Sequence, residues 1–167
     1  MPTGAESPDS ISHAFVLKGY YLAYAMWDGE TVDGDPTSRR TKHIENRPFR
    51  LSPGWYAVIL GKGKTGVTKQ EAARFQALLP SMQMPPFGSA VITRQLGSVV
   101  GVVRVSHSLP QEACRHSHWA NGARFCNIIS EAGRLPVPIP CKGNLGACPI
   151  KDDTTLTLVR NAAGGLF

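Results

Sequence analysis

The chain has 167 residues and a net charge of +6, with 42% hydrophobic and only 18% charged residues. This composition excludes a disordered polymer and fits a single globular domain. Its 17 glycines and 13 prolines favour many short strands and turns over a helical bundle. The positive charge favours an anionic partner, although a basic surface that only keeps the protein soluble explains it equally well.

The N-terminal residues and the cysteines bear on the cellular compartment that we expect for this protein. Residues 1–12 are polar, contain acidic residues and lack an apolar run, so we expect a flexible tail rather than a secretion signal. No apolar run is long enough to cross a membrane. We therefore expect an intracellular protein, cytoplasmic or nuclear, with reduced thiols. Residues 13–160 should form one domain, and 161–167 a loose tail.

Apolar and β-branched runs bounded by glycine and proline predict strands. These lie at 15–17, 55–60, 88–93, 98–106, 124–129 and 156–159, and a short charged strand is expected at 42–47, where Pro48 disfavours a helix at Arg47. Helical spacing of apolar residues predicts helices at 20–27 and 68–79, the second opened by a capping box of Thr68 and Glu71. Loops are expected at 28–39 and 109–122, and an extended proline-rich segment at 133–140.

The segment Lys42-His43-Ile44-Glu45-Asn46-Arg47 concentrates charge within a predicted strand. The strand period of two predicts Lys42 and Ile44 on one face, with Glu45 and Arg47 on the other. Direct contact between Lys42 and Glu45 would then need a bulge or a turn. Glu45 and Arg47 can pair or jointly bind a polar ligand. The alternative is a solvated, charged strand edge that discourages aggregation.

This segment resembles the Lys-x-x-Glu-x-Arg signature of the ASCH family (activating signal cointegrator homology). Three further segments agree with the family in order and spacing, so that the resemblance covers most of the chain. They are 54–60, the strand pair 87–92 and 99–105, and Pro138-Ile139-Pro140-Cys141-Lys142-Gly143-Asn144-Leu145-Gly146. The resemblance implies an α+β fold, a PUA-like mixed β-barrel of about five or six strands with two or three peripheral helices.

The resemblance also implies a function, the binding of RNA, DNA or a modified nucleoside in a basic cleft beside Lys42, Glu45 and Arg47. We further expect no cofactor, and a monomer that works within a larger RNA-processing or transcription assembly. The alternative is a small hydrolase acting on an N4-acylcytidine or on RNA. In that case Lys42 would activate water, Glu45 would relay protons, and Arg47 or a backbone amide would stabilise negative charge.

One departure bears on the hydrolase alternative. Family members of the amidohydrolase type carry Lys-x-x-Thr and a distant Glu. Here Glu45 stands where that Thr would be, so the hydroxyl is missing, and Glu131 is the candidate for the distant Glu. Other family members carry Lys-x-x-Glu-x-Arg, as this chain does.

Further candidate ligand-binding residues lie outside the signature. A basic rim is predicted from Lys62, Lys64, Arg104 and Lys142, with scattered surface cations as the alternative. Tyr20, Tyr24 and Trp27 have helical spacing and are either base-stacking rings or core residues. Ser130 lies at the end of a predicted strand beside the cleft, and a Ser without an identified His partner is usually structural.

Two familiar motifs are excluded by their spacing. Gly61-Lys62-Gly63-Lys64-Thr65-Gly66 lacks the order of a Walker phosphate loop, although its glycines and lysines suit a nucleic-acid backbone. The cysteines Cys114, Cys126, Cys141 and Cys148, with His116 and His118, contain no Cys-x-x-Cys pair. We therefore expect free, partly buried thiols and no metal.

Overall fold

A computed structural model describes residues 7–27, 42–61, 69–70, 73, 77, 89–115, 117, 119–120, 122–143 and 146–167. Over these residues the protein is α+β, with six strands in one mixed sheet and three α-helices. The strands are β1 His13–Leu17, β2 Ile44–Arg47, β3 Gly54–Leu60, β4 Ser98–Pro110, β5 Phe125–Pro140 and β6 Cys148–Pro149. The helices are α1 Tyr20–Trp27, α2 Ala90–Gln95 and α3 Asp153–Gly164, with 3-10 turns at Pro8–Ser10 and Gln111–Ala113.

The sheet has the strand order β2-β5-β4-β3-β1-β6. Only β1 and β3 are parallel, and the other neighbours are antiparallel. The long strands β4 and β5 form its centre, and their register shifts at three places, near Val99, Arg104 and Val105. Such irregularities bend a sheet and increase its twist. This bending curls the sheet, which is the part of a barrel fold that the described residues show.

The sheet is covered on both faces, which explains its nearly continuous apolar strands. On β3, Tyr56, Val58 and Leu60 belong to one buried cluster, together with residues of α1. The alternate residues Trp55, Ala57 and Ile59 belong to a second cluster with Val159 and Ala163 of α3. The period-two pattern of one strand therefore supplies two cores.

Several predicted elements are confirmed. Helix 20–27 is α1, strand 15–17 lies in β1, strand 55–60 lies in β3, and strand 98–106 lies in the longer β4. The strand predicted at 42–47 is present from Ile44. The strand at 124–129 and the extended segment at 133–140 are one strand, β5.

The strand predicted at 88–93 is wrong, because this segment leads into helix α2. Val91, Ile92 and Thr93 are β-branched, which favoured a strand. The hydroxyl of Ser89, however, accepts a hydrogen bond from the Val91 amide at 3.2 Å and caps the helix. Ile92 and Gln95, three residues apart, are then buried, whereas Val91 stays exposed, so burial follows a helical pattern.

The strand predicted at 156–159 is also wrong, since these residues lie within helix α3. The carboxylate of Asp152 accepts hydrogen bonds from the Thr155 amide at 2.8 Å and from its hydroxyl at 2.7 Å. This N-cap satisfies the first free amides of the helix. Val159 and Ala163, four residues apart, then share the buried face.

The two predicted tails need correction as well. Residues 161–164 belong to α3, and the Phe167 ring lies 4.8 Å from the Trp55 ring, so 161–167 is not loose. At the other end Ile11 is fully buried, and its carbonyl accepts a hydrogen bond from Arg160 Nε at 2.8 Å. Residues 7–12 therefore pack on the domain, because apolar contacts and α3 hold them.

Some predictions fall on parts of the chain outside the described residues. These are residues 1–6, the loop at 28–39 and most of the helix at 68–79, of which Lys69, Gln70, Ala73 and Ala77 are helical. Among the described residues, no helix combines the length and the apolar character needed to cross a membrane.

Candidate functional site

The charged signature forms a buried ionic cluster, the triad of Lys42, Glu45 and Arg47. Lys42 is 3% exposed and Glu45 is 5% exposed. Lys42 Nζ lies 3.4 Å from Glu45 Oε2, and Arg47 Nε donates to Glu45 Oε1 at 3.1 Å. Lys42 Nζ also donates to the Ile44 carbonyl. One carboxylate therefore lies between two cations.

Contact between Lys42 and Glu45 differs from the simple strand expectation of opposite faces. Strand β2 begins only at Ile44, so Lys42 precedes it and is not bound by the period of two. The Lys42 amine turns back onto the Ile44 carbonyl and meets Glu45 from there. A short strand start thus supplies the change of direction that the contact requires.

Arg47 connects β2, at one edge of the curled sheet, with β1, which lies next to the opposite edge strand β6. Its terminal nitrogen donates to the Val16 carbonyl of β1 at 2.7 Å, and its guanidinium lies 5.4 Å from the centre of the Phe15 ring. Strands β1 and β2 are separated in the sheet by β3, β4 and β5. The planar guanidinium presents separate nitrogens to Glu45 and to this carbonyl, so Arg47 holds the two together in a fixed geometry.

The surroundings of Lys42 in the triad lower the pKa of its amine. Burial lowers the pKa of Lys42, because a desolvated ammonium is disfavoured, and Arg47 acts in the same direction. The Glu45 carboxylate opposes this by attraction and by its hydrogen bond. Next to Lys42, burial together with the adjacent Cys114 raises the pKa of Cys126 to about 11. The site thus holds an amine with a weakened proton affinity beside a carboxylate.

Asn127 holds the chain on both sides of the turn that follows β2, and sequence reasoning missed it. This side chain is fully buried on β5. Its Nδ2 donates to the Glu45 carbonyl at 3.1 Å and to the Phe49 carbonyl at 3.4 Å, while its Oδ1 accepts from the Leu51 amide at 2.8 Å. A buried amide with such partners fixes the path of residues 45–51.

Tyr20 and Tyr24 were candidate stacking residues, and the structure places both in the core. They are 6% and 2% exposed, with rings in edge-to-face contact at 6.5 Å. The Tyr24 hydroxyl accepts hydrogen bonds from Gln95 at 3.2 Å and Arg134 at 3.3 Å. Burial also raises the pKa of Tyr20. Their helical spacing reflects packing of α1 on the sheet, so neither ring is open to a base.

The predicted basic rim is only partly described, since Lys62 and Lys64 lie outside the described residues. Arg104 on β4 is partly exposed, and its carbonyl accepts a 3.4 Å hydrogen bond from the exposed Ser130. Lys142 is exposed after the end of β5. The structure thus brings Arg104 and Ser130 together, and Glu131 is the register partner of Arg104.

A cavity of about 570 Å³ opens where β1 and β3 begin. We call it the β3 cavity, and Lys42, Glu45 and Arg47 are not among its lining residues. It is lined by Ser10, Ser12, His13, Phe49, Arg50, Leu51, Ser52, Pro53, Gly54, Trp55, Tyr56, Gly146 and Ala147. Sequence reasoning missed His13 and Arg50, although Arg50 ends the same basic stretch as the triad.

The four cysteines are free thiols, and only Cys141 is partly exposed. Over the part of the chain that the structure describes, no cluster of three His, Cys, Asp or Glu side chains is placed to hold a metal ion. His116 and His118 are outside that part.

Known proteins give no further identification. No protein-family model matches the sequence, and comparison with curated proteins finds no significant match.

Proposed function

We propose that this protein is an RNA- or modified-nucleoside-binding domain of the ASCH, PUA-like type. Four sequence segments that resemble this family support the proposal, as does the agreement of its α+β fold with a mixed, curled sheet. Helix α1 directly follows β1 and precedes the Lys-x-x-Glu-x-Arg segment, which is the order that the family resemblance implies. The partner is RNA, DNA or a modified nucleoside, bound by a monomer within a larger RNA-processing or transcription assembly.

The observation that carries the proposal is the charge of the triad. Two cations share one carboxylate, so one positive charge is left over in a largely desolvated position. The Arg47 side chain is 18% exposed, against 4% for Lys42 and 6% for Glu45. Arg47 is therefore the member that an anion can reach, while Lys42 and Glu45 hold it. Arginine suits phosphate through its paired donors.

Fluorescence anisotropy with a labelled single-stranded RNA tests this proposal. We expect binding that weakens steeply with salt, with a slope of about −0.7 for each phosphate contact. Arg47→Gln should weaken binding and reduce the steepness of that slope by the contribution of roughly one phosphate contact. Arg94→Gln, at an exposed position on α2, is the matched control and should leave the slope unchanged.

Circular dichroism of Arg47→Gln separates a lost contact from a lost fold. Lys42→Met provides a second variant, since it removes the excess charge of the triad and keeps the Glu45–Arg47 pair. Absence of RNA, DNA and nucleoside binding by the wild type at low salt would refute the proposal.

The lowered pKa of Lys42 favours a second candidate function, hydrolysis of an N4-acylcytidine or of RNA. A neutral Lys42 amine would take a proton from the water that attacks the acyl carbon, and Arg47 would stabilise the negative charge on the acyl oxygen. As the C–N bond breaks, Glu45 would relay that proton to the departing N4 amine, which leaves cytidine and the free acid. Because Lys42 is only 3% exposed, this function requires the substrate to open the site, so we place binding first.

Turnover of N4-acetylcytidine, followed by chromatography, distinguishes the two functions. Hydrolysis predicts conversion to cytidine by the wild type, with a rate that rises as Lys42 loses its proton, and no conversion by Lys42→Met. RNA strands incubated in parallel test the ribonuclease form. A wild type that leaves both substrates intact but binds RNA supports the binding domain.

A further inference from the structure

The β3 cavity has the size and the composition of a small-molecule site. Its volume of about 570 Å³ lies within the range of roughly 300–1,000 Å³ that ligand pockets occupy. Its walls come from the chain before β1, from the turn between β2 and β3, from the start of β3, and from residues 146–147. The proposed RNA contact at Arg47 does not use these walls.

The lining residues favour an anion. Among the described residues they include one arginine, one histidine and three serines, and no aspartate or glutamate. Arg50 is exposed, so its guanidinium can turn toward a ligand in the cavity. The hydroxyl of Ser12 and the Nδ1 atom of His13 are 2.8 Å apart and form a polar pair on the same wall. Hydroxyls and a guanidinium together are typical of phosphate binding.

The cavity also offers an aromatic surface. Phe49 is partly exposed and lies over Gly146, where an added Cβ atom would come within 3.6 Å of the ring. Trp55 contributes a second aromatic wall but is 6% exposed. A planar ligand ring can stack on an exposed aromatic side chain. Phe49 is therefore the residue that a ligand ring would meet.

The walls are held in place before any ligand arrives. The Tyr56 hydroxyl donates to the Ser52 carbonyl at 2.7 Å, and the Leu51 amide donates to Asn127 at 2.8 Å. These bonds fix the turn that carries Phe49 and Arg50. A site whose shape is fixed in advance loses less entropy when it binds.

From this arrangement we propose that the β3 cavity binds a planar ring that carries a phosphate, such as a nucleoside monophosphate. Arg50 binds the phosphate, the serine hydroxyls and His13 supply further hydrogen bonds, and Phe49 packs against the ring. This site is separate from the triad and goes beyond the proposed nucleic-acid function. It does not depend on whether Arg47 contacts RNA.

Isothermal titration with cytidine 5′-monophosphate, cytidine and inorganic phosphate tests the proposal. The chain offers a close control, because the guanidinium groups of Arg50 and Arg124 lie on the same Phe125 ring, at 4.9 and 5.2 Å from its centre. Both arginines are exposed, but only Arg50 lines the cavity. Arg50→Ala and Arg124→Ala therefore remove the same charge and the same ring contact.

We expect Arg50→Ala to weaken the nucleotide affinity by roughly tenfold, as for a lost charge-assisted hydrogen bond, and to leave cytidine affinity unchanged. Arg124→Ala should change neither. Phe49→Leu should weaken the nucleotide and the nucleoside alike. Oligonucleotides with a 5′-phosphate and with a 5′-hydroxyl group, titrated alongside, show whether the phosphate source is a free nucleotide or an RNA end.

Two results would overturn the proposal. One is a wild type that does not bind the nucleotide at millimolar concentration. The other is an equal loss of affinity in Arg50→Ala and Arg124→Ala, which would indicate a general effect of charge. Neither result affects the RNA-binding proposal, since that one is tested by Arg47 and by salt dependence.

Discussion

Arg47 and Arg50 are three residues apart, yet their surroundings differ in kind. Arg47 is held by Glu45, by the Val16 carbonyl and by the Phe15 ring, and it connects the two ends of the sheet. Arg50 is exposed and lines the β3 cavity, where none of the described lining residues carries a carboxylate. Arg47 thus stabilises the fold and leaves only 18% of its side chain exposed to an anion, whereas the exposed Arg50 is open to ligands.

The burial and the contact partners of each cation in this basic stretch, more than its residue type, decide what that cation does. The triad contains charges that are costly to bury alone, so removal of one member should affect folding first. The cavity contains a charge that water still solvates, so its removal should affect binding without affecting folding. Four variants test this contrast.

The largest effect is expected from Glu45→Gln, which leaves Lys42 and Arg47 without their shared carboxylate. Removal of one partner from a buried ion pair costs about 3–5 kcal/mol. Urea denaturation should show a loss of this size in the free energy of unfolding. Glu131→Gln, which alters an exposed carboxylate on β5, should show little change. Equal losses in the two variants would show that the triad does not stabilise the fold.

A loss of about 3 kcal/mol is expected from Asn127→Ala, because buried amide and carbonyl groups lose their partners. This side chain orders the segment between the triad and the cavity, so nucleotide binding should weaken as well. Denaturation and titration of the same variant measure both effects. Asn161→Ala, at an exposed position of α3, is the control. If Asn127→Ala lowered stability but left nucleotide binding intact, its role in ordering the cavity would be disproved.

Lys42→Met should reveal a pH dependence. Burial lowers the pKa of Lys42 in the folded protein below its ordinary value of 10.5. Between these two pKa values the unfolded chain binds the extra proton, so the free energy of unfolding rises with pH. The cost of burying the charge is complete below the folded-state pKa and has vanished above 10.5.

The stability of the wild type relative to Lys42→Met should therefore increase as pH rises through this window. Urea denaturation of both proteins across the window measures the difference and cancels the groups that they share. Lys18→Met, at an exposed position, controls for the loss of a lysine. A difference that stays constant or falls with pH would contradict a desolvated Lys42.

The smallest effect on stability is expected from Arg50→Ala, within about 0.5 kcal/mol, as for other exposed positions. Arg50→Ala should therefore lose nucleotide affinity while its free energy of unfolding stays nearly constant. In Asn127→Ala both quantities should fall. Arg124→Ala should resemble Arg50→Ala in stability and the wild type in binding. A large loss of stability in Arg50→Ala would remove the contrast between the two regions.

Sequence reasoning predicted much of the sheet, because continuous apolar runs such as Trp55 to Leu60 are typical of strands buried on both faces. It also located the charged stretch around Lys42. It placed strands at 88–93 and 156–159 where helices form, because short apolar runs favour strands and the caps at Ser89 and Asp152 were not recognised. The ASCH resemblance and the functions that it implies stay predictions.

The sequence alone is enough to establish an α+β pattern rich in apolar residues, glycine and proline, a net charge of +6, and one dense charged signature. Only the tertiary structure decided which of these charges are buried, because burial depends on contacts between distant segments. Arg47 meets Val16, and Asn127 holds Leu51, across 31 and 76 residues of chain. Contacts between distant segments also bury Tyr24 in the core, and they enclose the cavity with described residues from three separate segments.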